Sequence, residues 1–255
     1  MNILVVMKQT FDTEEKVAIQ NGQVVEDGVE FIINPYDEFA VEEAIKLRDD
    51  FGGEVTVITV GPTRAENALR TALAMGADKA VIVDDEALFG DEYQLAKVLA
   101  AVIKDRSFDV ILAGNMSVDN GAGQGGPRLA EELGIPHVAT ITKLSIEGGK
   151  ATVVRDVEGD SETLEVSLPV LLTAQQGLNE PRYPSLPGIM KAKKKPMERL
   201  SASDLGLNPA EIPSKTQVVE QYLPPKKEAG RVLTGDLGDQ VKELVGLLHN
   251  EAKVI

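Results

Sequence analysis

The stretch VILAGNMSVDNGAGQGGPRLAEEL, residues 110–133, reads as a strand, a glycine-rich loop and a helix. Val110–Ala113 is a continuous apolar run, as expected of a strand covered on both faces. Gly114 to Gly126 is rich in glycine, which lets a backbone approach a ligand closely and offer it N–H groups. The helix that follows, Gly125–Leu133, brings roughly half a positive charge at its N-terminus. Loop and helix together suit a phosphate; the plainer reading is a flexible loop whose glycines only turn the chain.

The same strand-to-helix alternation runs through the residues before this stretch. Ile3–Met7, Val55–Val60 and Ala80–Val83 read as buried strands. The helices are a segment opening at Asn34-Pro35 and ending at Gly52-Gly53, then Ala65–Met75 and Glu92–Ile103. Asn34 suits an N-cap, Pro35 the first helical position, and Asp37 and Glu38 the positive end of the dipole. Alternating strands and helices imply a parallel sheet with right-handed crossovers. The loop after Val110–Ala113 then lies at the C-terminal edge of that sheet, where such folds bind ligands. The strand ends Val6-Met7-Lys8 and Val60-Gly61-Pro62 lie on the same edge, and Asn34-Pro35-Tyr36, which opens a helix, can join them.

Beyond Gly134 the pattern alternates between apolar and polar residues. Ile141–Ile146, Ala151–Asp156 and Thr163–Leu168, with Gly148-Gly149 as a turn, predict an antiparallel excursion. Val170–Thr173 is a further short strand. The fold class expected is α/β, a doubly wound and mostly parallel sheet with that excursion and an extended C-terminal arm.

Charge divides the chain. The 255 residues carry a net charge of −15, yet residues 178–200 hold six basic and two acidic side chains. That segment also contains Pro181, Pro184, Pro187 and Pro196, which argue against a central strand or long helix. Its apolar side chains (Leu178, Tyr183, Leu186, Ile189, Met190) suit recognition, because a proline-stiffened loop loses less entropy on binding. Lys191, Lys193, Lys194 and Lys195 either steer an acidic partner or form a solvated run. Val241, Leu244, Val245 and Leu248 make an apolar helix stripe in the tail. The domain reading is a core at 1–185 and an arm at 186–255.

Composition excludes several functions. A pI near 4.6 argues against nucleic acid. Cys is absent and only His137 and His249 are present, which excludes disulfides, thiolate chemistry and a multi-His metal site. No apolar run approaches a membrane span, and the short run Ile3–Met7, followed by Lys8, lacks the charge-first, longer apolar form expected of a secretory signal. A cytoplasmic or organellar-matrix location is expected. Asp84-Asp85-Glu86 reads as a solvated turn, and His137 as structural. No nucleophile–base couple is visible, so no catalytic residue and no metal is expected. Gly121, Gly123 and Gly126 match G-x-G-x-x-G, but the dinucleotide fingerprint follows the first strand of its unit directly, and here seven residues and several strands intervene.

Three stretches carry a family resemblance: NPYDEFAVEEA (34–44), RTALAMGAD (70–78) and VRDVEGDSETLEVSLPVLLTAQQGLNEPRYPSLPGIMKAKKKP (154–196). The chain resembles the β subunit of electron transfer flavoproteins along essentially its whole length. The resemblance implies an adenine-nucleotide α-hydrolase-like fold and a heterodimer with an α subunit that holds most of the FAD. It implies AMP as a structural ligand of the β subunit and a C-terminal arm wrapped on α. Electrons would pass from acyl-CoA dehydrogenases and similar donors to a quinone reductase, with no membrane insertion.

The implied AMP site comprises Val6, Asn34, Pro35, Tyr36, Asp37 and Val60, with Asp119, Asn120, Gly121, Gly123, Gln124, Gly125 and Gly126. Asp119 either accepts from a ribose hydroxyl or adenine amine or caps the turn, and Tyr36 is placed near the flavin. The implied partner-recognition loop is Leu178, Asn179, Glu180, Pro181, Arg182 and Tyr183, with Leu178 as apolar anchor. Glu147 is implied to influence where the flavin domain rests.

A related branch bifurcates electrons, holds a second FAD in place of AMP and oxidises NADH. Its loop resembles DGDTAQV, whereas residues 119–126 here read DNGAGQGG. Two other readings of the residues are a stand-alone nicotinamide dehydrogenase and a nucleotide-sensing monomer.

Overall fold

A computed structural model describes residues 1–227 and 229–255. Its elements run in chain order as follows. β1 (Asn2–Val6) leads into β2 (Gln9–Phe11), the hairpin β3 (Ile19–Gln20) and β4 (Gln23–Val24), and β5 (Phe31–Ile33). Then come α1 (Pro35–Phe51), β6 (Glu54–Val60), α2 (Glu66–Met75), β7 (Lys79–Val83), α3 (Glu92–Ile103), β8 (Val110–Gly114) and α4 (Gly125–Leu133). β9 (His137–Glu147), β10 (Lys150–Val157), β11 (Asp160–Ser167) and β12 (Val170–Ala174) follow, then α5 (Leu186–Ala192), β13 (Met197–Leu200) and α6 (Leu237–Leu247).

Nine strands form one sheet in the order β11-β10-β9-β12-β8-β1-β6-β7-β13. From β9 to β13 every pairing is parallel, and only β10 and β11 run against their neighbours. This is the expected α/β class. The excursion is narrower than its sequence suggests, because β9 begins as a parallel neighbour of β12 before leading into the hairpin. A bulge in β9 makes that double role possible. Thr140 takes φ 60°, a left-handed conformation rare for a β-branched residue. Its N–H donates to Thr173 Oγ1 at 3.0 Å.

The chain moves from β1 to β6 and β7 on one side, then returns to place β8 on the other side of β1. The strand order therefore reverses between β1 and β8, and the loops leaving their C-terminal ends splay apart there. Both faces of the sheet are covered. Ile3, Val5, Val55 and Val57 pack with α1 and α2; Leu4, Ile58, Ile111 and Leu171 pack with α3 and α4.

The chain divides into two compact units: residues 1–17 with 25–219, and residues 18–24 with 220–255. The first differs from the expected break at 185/186. Residues 186–219 pack in the first unit because β13 adds a parallel edge strand beside β7, while α5 lies on α2. The proline-rich segment thus carries a seven-residue helix and an edge strand, both permitted by the position of its prolines. In the second unit, the β3–β4 hairpin is held by Gln221, whose N–H donates to Gly22 O and whose Oε1 accepts from Val24 N–H. Leu237, Val241, Leu244 and Val245 of α6 are exposed.

Candidate functional site

A cleft opens at the reversal point. It is lined by Val6 and Lys8 from the end of β1, Val60 from β6, Asn34 and Asp37 at the start of α1, and the loop and first turn between β8 and α4. Leu95, Ala96 and Leu99 of α3 supply an apolar wall.

Asp37 ties the two strands that diverge here. Its Oδ2 accepts the Lys8 N–H at 2.7 Å and its Oδ1 the Gly114 N–H at 2.8 Å. The carboxyl is buried, and burial pushes its pKa up to about 7, against the lowering pull of the Lys8 N–H, Asn34, the Gly114 N–H and the Lys8 charge. A side chain at Gly114 would put Cβ 2.3 Å from Asp37 Oδ1, so only glycine allows this approach.

Asn34 occupies the N-cap of α1, but its side chain makes no cap bond. It serves the loop instead: Nδ2 donates to Met116 O at 2.8 Å and Oδ1 accepts the Val118 N–H at 3.1 Å. Because the side chain is 1% exposed, both bonds are made away from water. The rest of the loop is also tied. Asn120 donates to Glu92 Oε1 at 2.9 Å and accepts from Ser117 Oγ and the Ala122 N–H. Gly121 and Gly123 take φ near 60°, which glycine adopts without strain. Gln124 Oε1 accepts from Arg128, and a Cβ on Gly126 would meet Thr173 Cγ2 at 2.5 Å. The first turn of α4 is thereby pressed onto β12.

Of the expected AMP-site residues, the cleft gathers Val6, Asn34, Asp37, Val60, Asn120, Gly123, Gln124, Gly125 and Gly126. Pro35, Tyr36, Asp119 and Gly121 do not line it. Asp119 is engaged by Lys8, whose Nζ lies 2.6 Å from Oδ2. Burial opposes its ionisation, but the hydrogen bonds from Lys8 and Ser117 hold its carboxyl below the usual range. Lys8, at a strand end expected on this edge, and Glu92 line the cleft beyond the expected AMP-site residues. Glu92 does not stand out in the sequence, where it looks like first-turn helix charge.

The expected recognition segment lies elsewhere in the same unit. Leu178 is partly buried against the core. The exposed apolar side chains are Tyr183, Leu186, Ile189 and Met190. Asn179 and Arg182 reach back to α1, and Glu180 and Pro181 lie between them at the surface. Lys195 does not join the basic run at the surface. Its Nζ donates to Leu73 O at 3.0 Å and Ala77 O at 2.5 Å, satisfying carbonyls at the C-terminus of α2.

The remaining singled-out groups are accounted for locally. Asp85 accepts from the Ala87 and Ala202 N–H groups, and Asp84 pairs with Arg199. The acidic run is therefore a joint between β7 and the segment after β13. His137 is exposed at the start of β9, and Glu147 is exposed at its end. His249 Nδ1 lies 2.9 Å from Ile255 O. Among the described residues, no group of three His, Asp or Glu is placed to hold a metal ion, and no helix is long and apolar enough to cross a membrane.

An α/β sheet with a glycine-lipped cleft at its reversal point has its cleft where folds of this class bind ligands. Comparison with known proteins narrows this. The family model for the electron transfer flavoprotein domain matches residues 21–205. The chain is 56% identical over 257 residues to the electron transfer flavoprotein subunit beta of Bacillus subtilis (strain 168), covering 100% of both chains. It is 36% identical to the Bos taurus subunit beta over 252 residues, covering 96% of this chain and 98% of that one. It is also 40% identical to the caffeyl-CoA reductase-Etf complex subunit CarD of Acetobacterium woodii over 260 residues, covering 99% and 98%. The chain belongs to the electron transfer flavoprotein family, among its β subunits, and serves in electron transfer.

Proposed function

We propose that this chain pairs with an α subunit as a non-catalytic electron carrier, with AMP in the β-chain cleft and the redox FAD held mostly by α. The observation that carries the AMP reading is the cleft at the β1/β8 reversal point, in a chain of this family. Its fit to an adenylate rests on three features. Backbone N–H groups at the first turn of α4 face a lip free of Cβ atoms at Gly125. Asn34 and Asp37 fix the loop and strand ends without needing a ligand. Leu95, Ala96 and Leu99 offer an apolar wall to a base. The FAD supplies the redox chemistry when bound; this chain's residues bind, orient and present.

In this reading the donor is an acyl-CoA dehydrogenase or similar enzyme, the acceptor a quinone reductase, and the setting cytoplasmic or matrix. The second unit, residues 18–24 with 220–255, supplies the arm that packs on α through the apolar stripe of α6. The docking face is the segment 178–190, with Leu186 and Tyr183 outermost in place of Leu178. The test is dye reduction by an acyl-CoA dehydrogenase through the co-purified heterodimer. Dehydrogenase-dependent transfer supports the reading, and no transfer from any acyl-CoA dehydrogenase opposes it.

A bifurcating role is the second reading, favoured by the likeness to the subunit of the caffeyl-CoA reductase-Etf complex. It requires a second FAD where AMP is proposed and NADH as donor. The loop sequence DNGAGQGG speaks for the first reading, and NADH oxidation by the heterodimer would favour the second.

A further inference from the structure

Two carboxylates lie beneath the docking segment. Glu42 and Glu43, where the second turn of α1 meets the third, are 5% and 4% exposed. Adjacent buried carboxylates are costly unless each is paired and hydrogen-bonded. Glu42 is satisfied by one residue of the segment. Its Oε2 accepts the Arg182 N–H at 3.1 Å and Nε–H at 2.8 Å, and its Oε1 accepts from Nη2 at 2.9 Å. Glu43 Oε2 accepts from Asn179 Nδ2 and from Lys46 Nζ, each at 2.9 Å. Asn179 Nδ2 also donates to Phe39 O at 3.0 Å, while its Oδ1 is buried without a partner. The amide is therefore oriented by its two donor bonds alone.

The other end of the segment is tethered as well. Arg70 Nη1 donates to Ala192 O at 3.0 Å, and Lys195 sits on the α2 carbonyls. Gly188 lies so close to α2 that a Cβ there would be 2.4 Å from Ala74 O. Between these tethers stand Tyr183, Leu186 and Met190, which are 94%, 80% and 73% exposed.

We infer that Glu42 is a positioning residue for partner docking. Acting through Arg182, it holds residues 178–185 in one conformation, so that Tyr183 and Leu186 meet a partner without prior ordering. A planar two-point guanidinium–carboxylate bond fixes direction as well as distance, and preorganisation removes an entropy cost from association. The inference rests on the docking role proposed above for this segment.

The test uses the heterodimer with Glu42→Gln, Arg182→Gln and the double variant. Amide hydrogen exchange is followed in peptides covering 178–186. Each single variant should exchange there about tenfold faster, with flavin content retained. The guanidinium–carboxylate pair is common to both variants, so the double variant should fall short of the product of the two single effects; Arg182→Gln also loses the pairing with Asp49 at 3.6 Å and keeps the backbone N–H bond to Glu42. With an acyl-CoA dehydrogenase as donor, Glu42→Gln should raise the KM for the heterodimer about fivefold and leave kcat unchanged. Unchanged exchange, or a kcat loss at constant KM, overturns the inference. If Glu42→Gln does not fold, Arg182→Gln decides by exchange alone, since its head lies at the surface. If the wild-type heterodimer takes no electrons from any acyl-CoA dehydrogenase, the docking role falls, and exchange still decides whether Glu42 holds the loop.

Discussion

Asp37 Oδ1 accepts the Gly114 N–H at 2.8 Å, in the space that a side chain on Gly114 would occupy. The same carboxyl holds the Lys8 N–H. One side chain therefore bridges Lys8 and Gly114, just beyond the last paired residues of β1 and β8, Val6 and Ala113, at the mouth of the cleft.

Gly114→Ala should strain that bridge. Its Cβ would stand 2.3 Å from Asp37 Oδ1 and 2.7 Å from Tyr36 Cβ, neither of which is the far end of a flexible chain. A loss of about 1–3 kcal/mol is expected, as for overpacking elsewhere, together with reduced nucleotide content. Urea denaturation and nucleotide extraction measure both, and wild-type values for both would contradict the clamp.

Asp37 also predicts a pH dependence. Its ordinary value of 3.8 is raised to about 7 in the folded chain. Between those values the folded chain holds a proton that the unfolded chain has released. The stability contributed by this group therefore falls as pH rises from about 4 to about 7. Asp37→Asn should show a smaller loss of stability between pH 5 and pH 8 than wild type in urea midpoints. Parallel pH profiles would show that the carboxyl is already ionised at pH 5.

Asn34→Ala removes both bonds to the loop and leaves the Met116 carbonyl and Val118 N–H without that partner. A cost of about 1–3 kcal/mol is expected for stranded buried groups. Hydrogen exchange in residues 115–124 should rise, while the strands keep their protection. A variant with unaltered loop exchange would mean that Asn120 and Lys8 suffice to hold it.

Leu178→Ala and Leu186→Ala should separate packing from docking. Leu178 is packed on the core, so its truncation should lower the Tm and cost about 1–3 kcal/mol. Leu186 is 80% exposed. Its truncation should leave the Tm within error and raise the KM for a donor dehydrogenase. The reverse pattern would restore Leu178 as the outward contact.

The central sheet could be read from sequence because its strands are unbroken apolar runs and its helices carry ordinary stop signals. α3 and α4 have the expected limits, Glu92–Ile103 and Gly125–Leu133. What escaped was set by tertiary pairing. β13 (MERL) has no strand signature of its own and exists because β7 offers an open edge. The α5 helix hides beside Pro184 and Pro187, the first just before its N-cap Ser185 and the second in its first turn. The cleft was half visible: the glycine loop and the Asn34 turn announce themselves through residue type. Lys8 falls on that edge by its place at a strand end, but its pairing with Asp119, 111 residues away, is not legible. Asn34 sits at the N-cap position, yet its side chain latches the loop instead of capping the helix; the two roles look alike until the partner is seen. Leu178 and Leu186 are both leucines in a proline-rich run, and only packing distinguishes the buried one.

The nucleotide content of the heterodimer, purified without added cofactor and identified by mass, tests the proposed carrier role most directly. One FAD and one AMP per heterodimer are expected, with AMP lost from the Asn34→Ala heterodimer before FAD. Two FAD and no AMP would contradict it and place the chain with the bifurcating complexes.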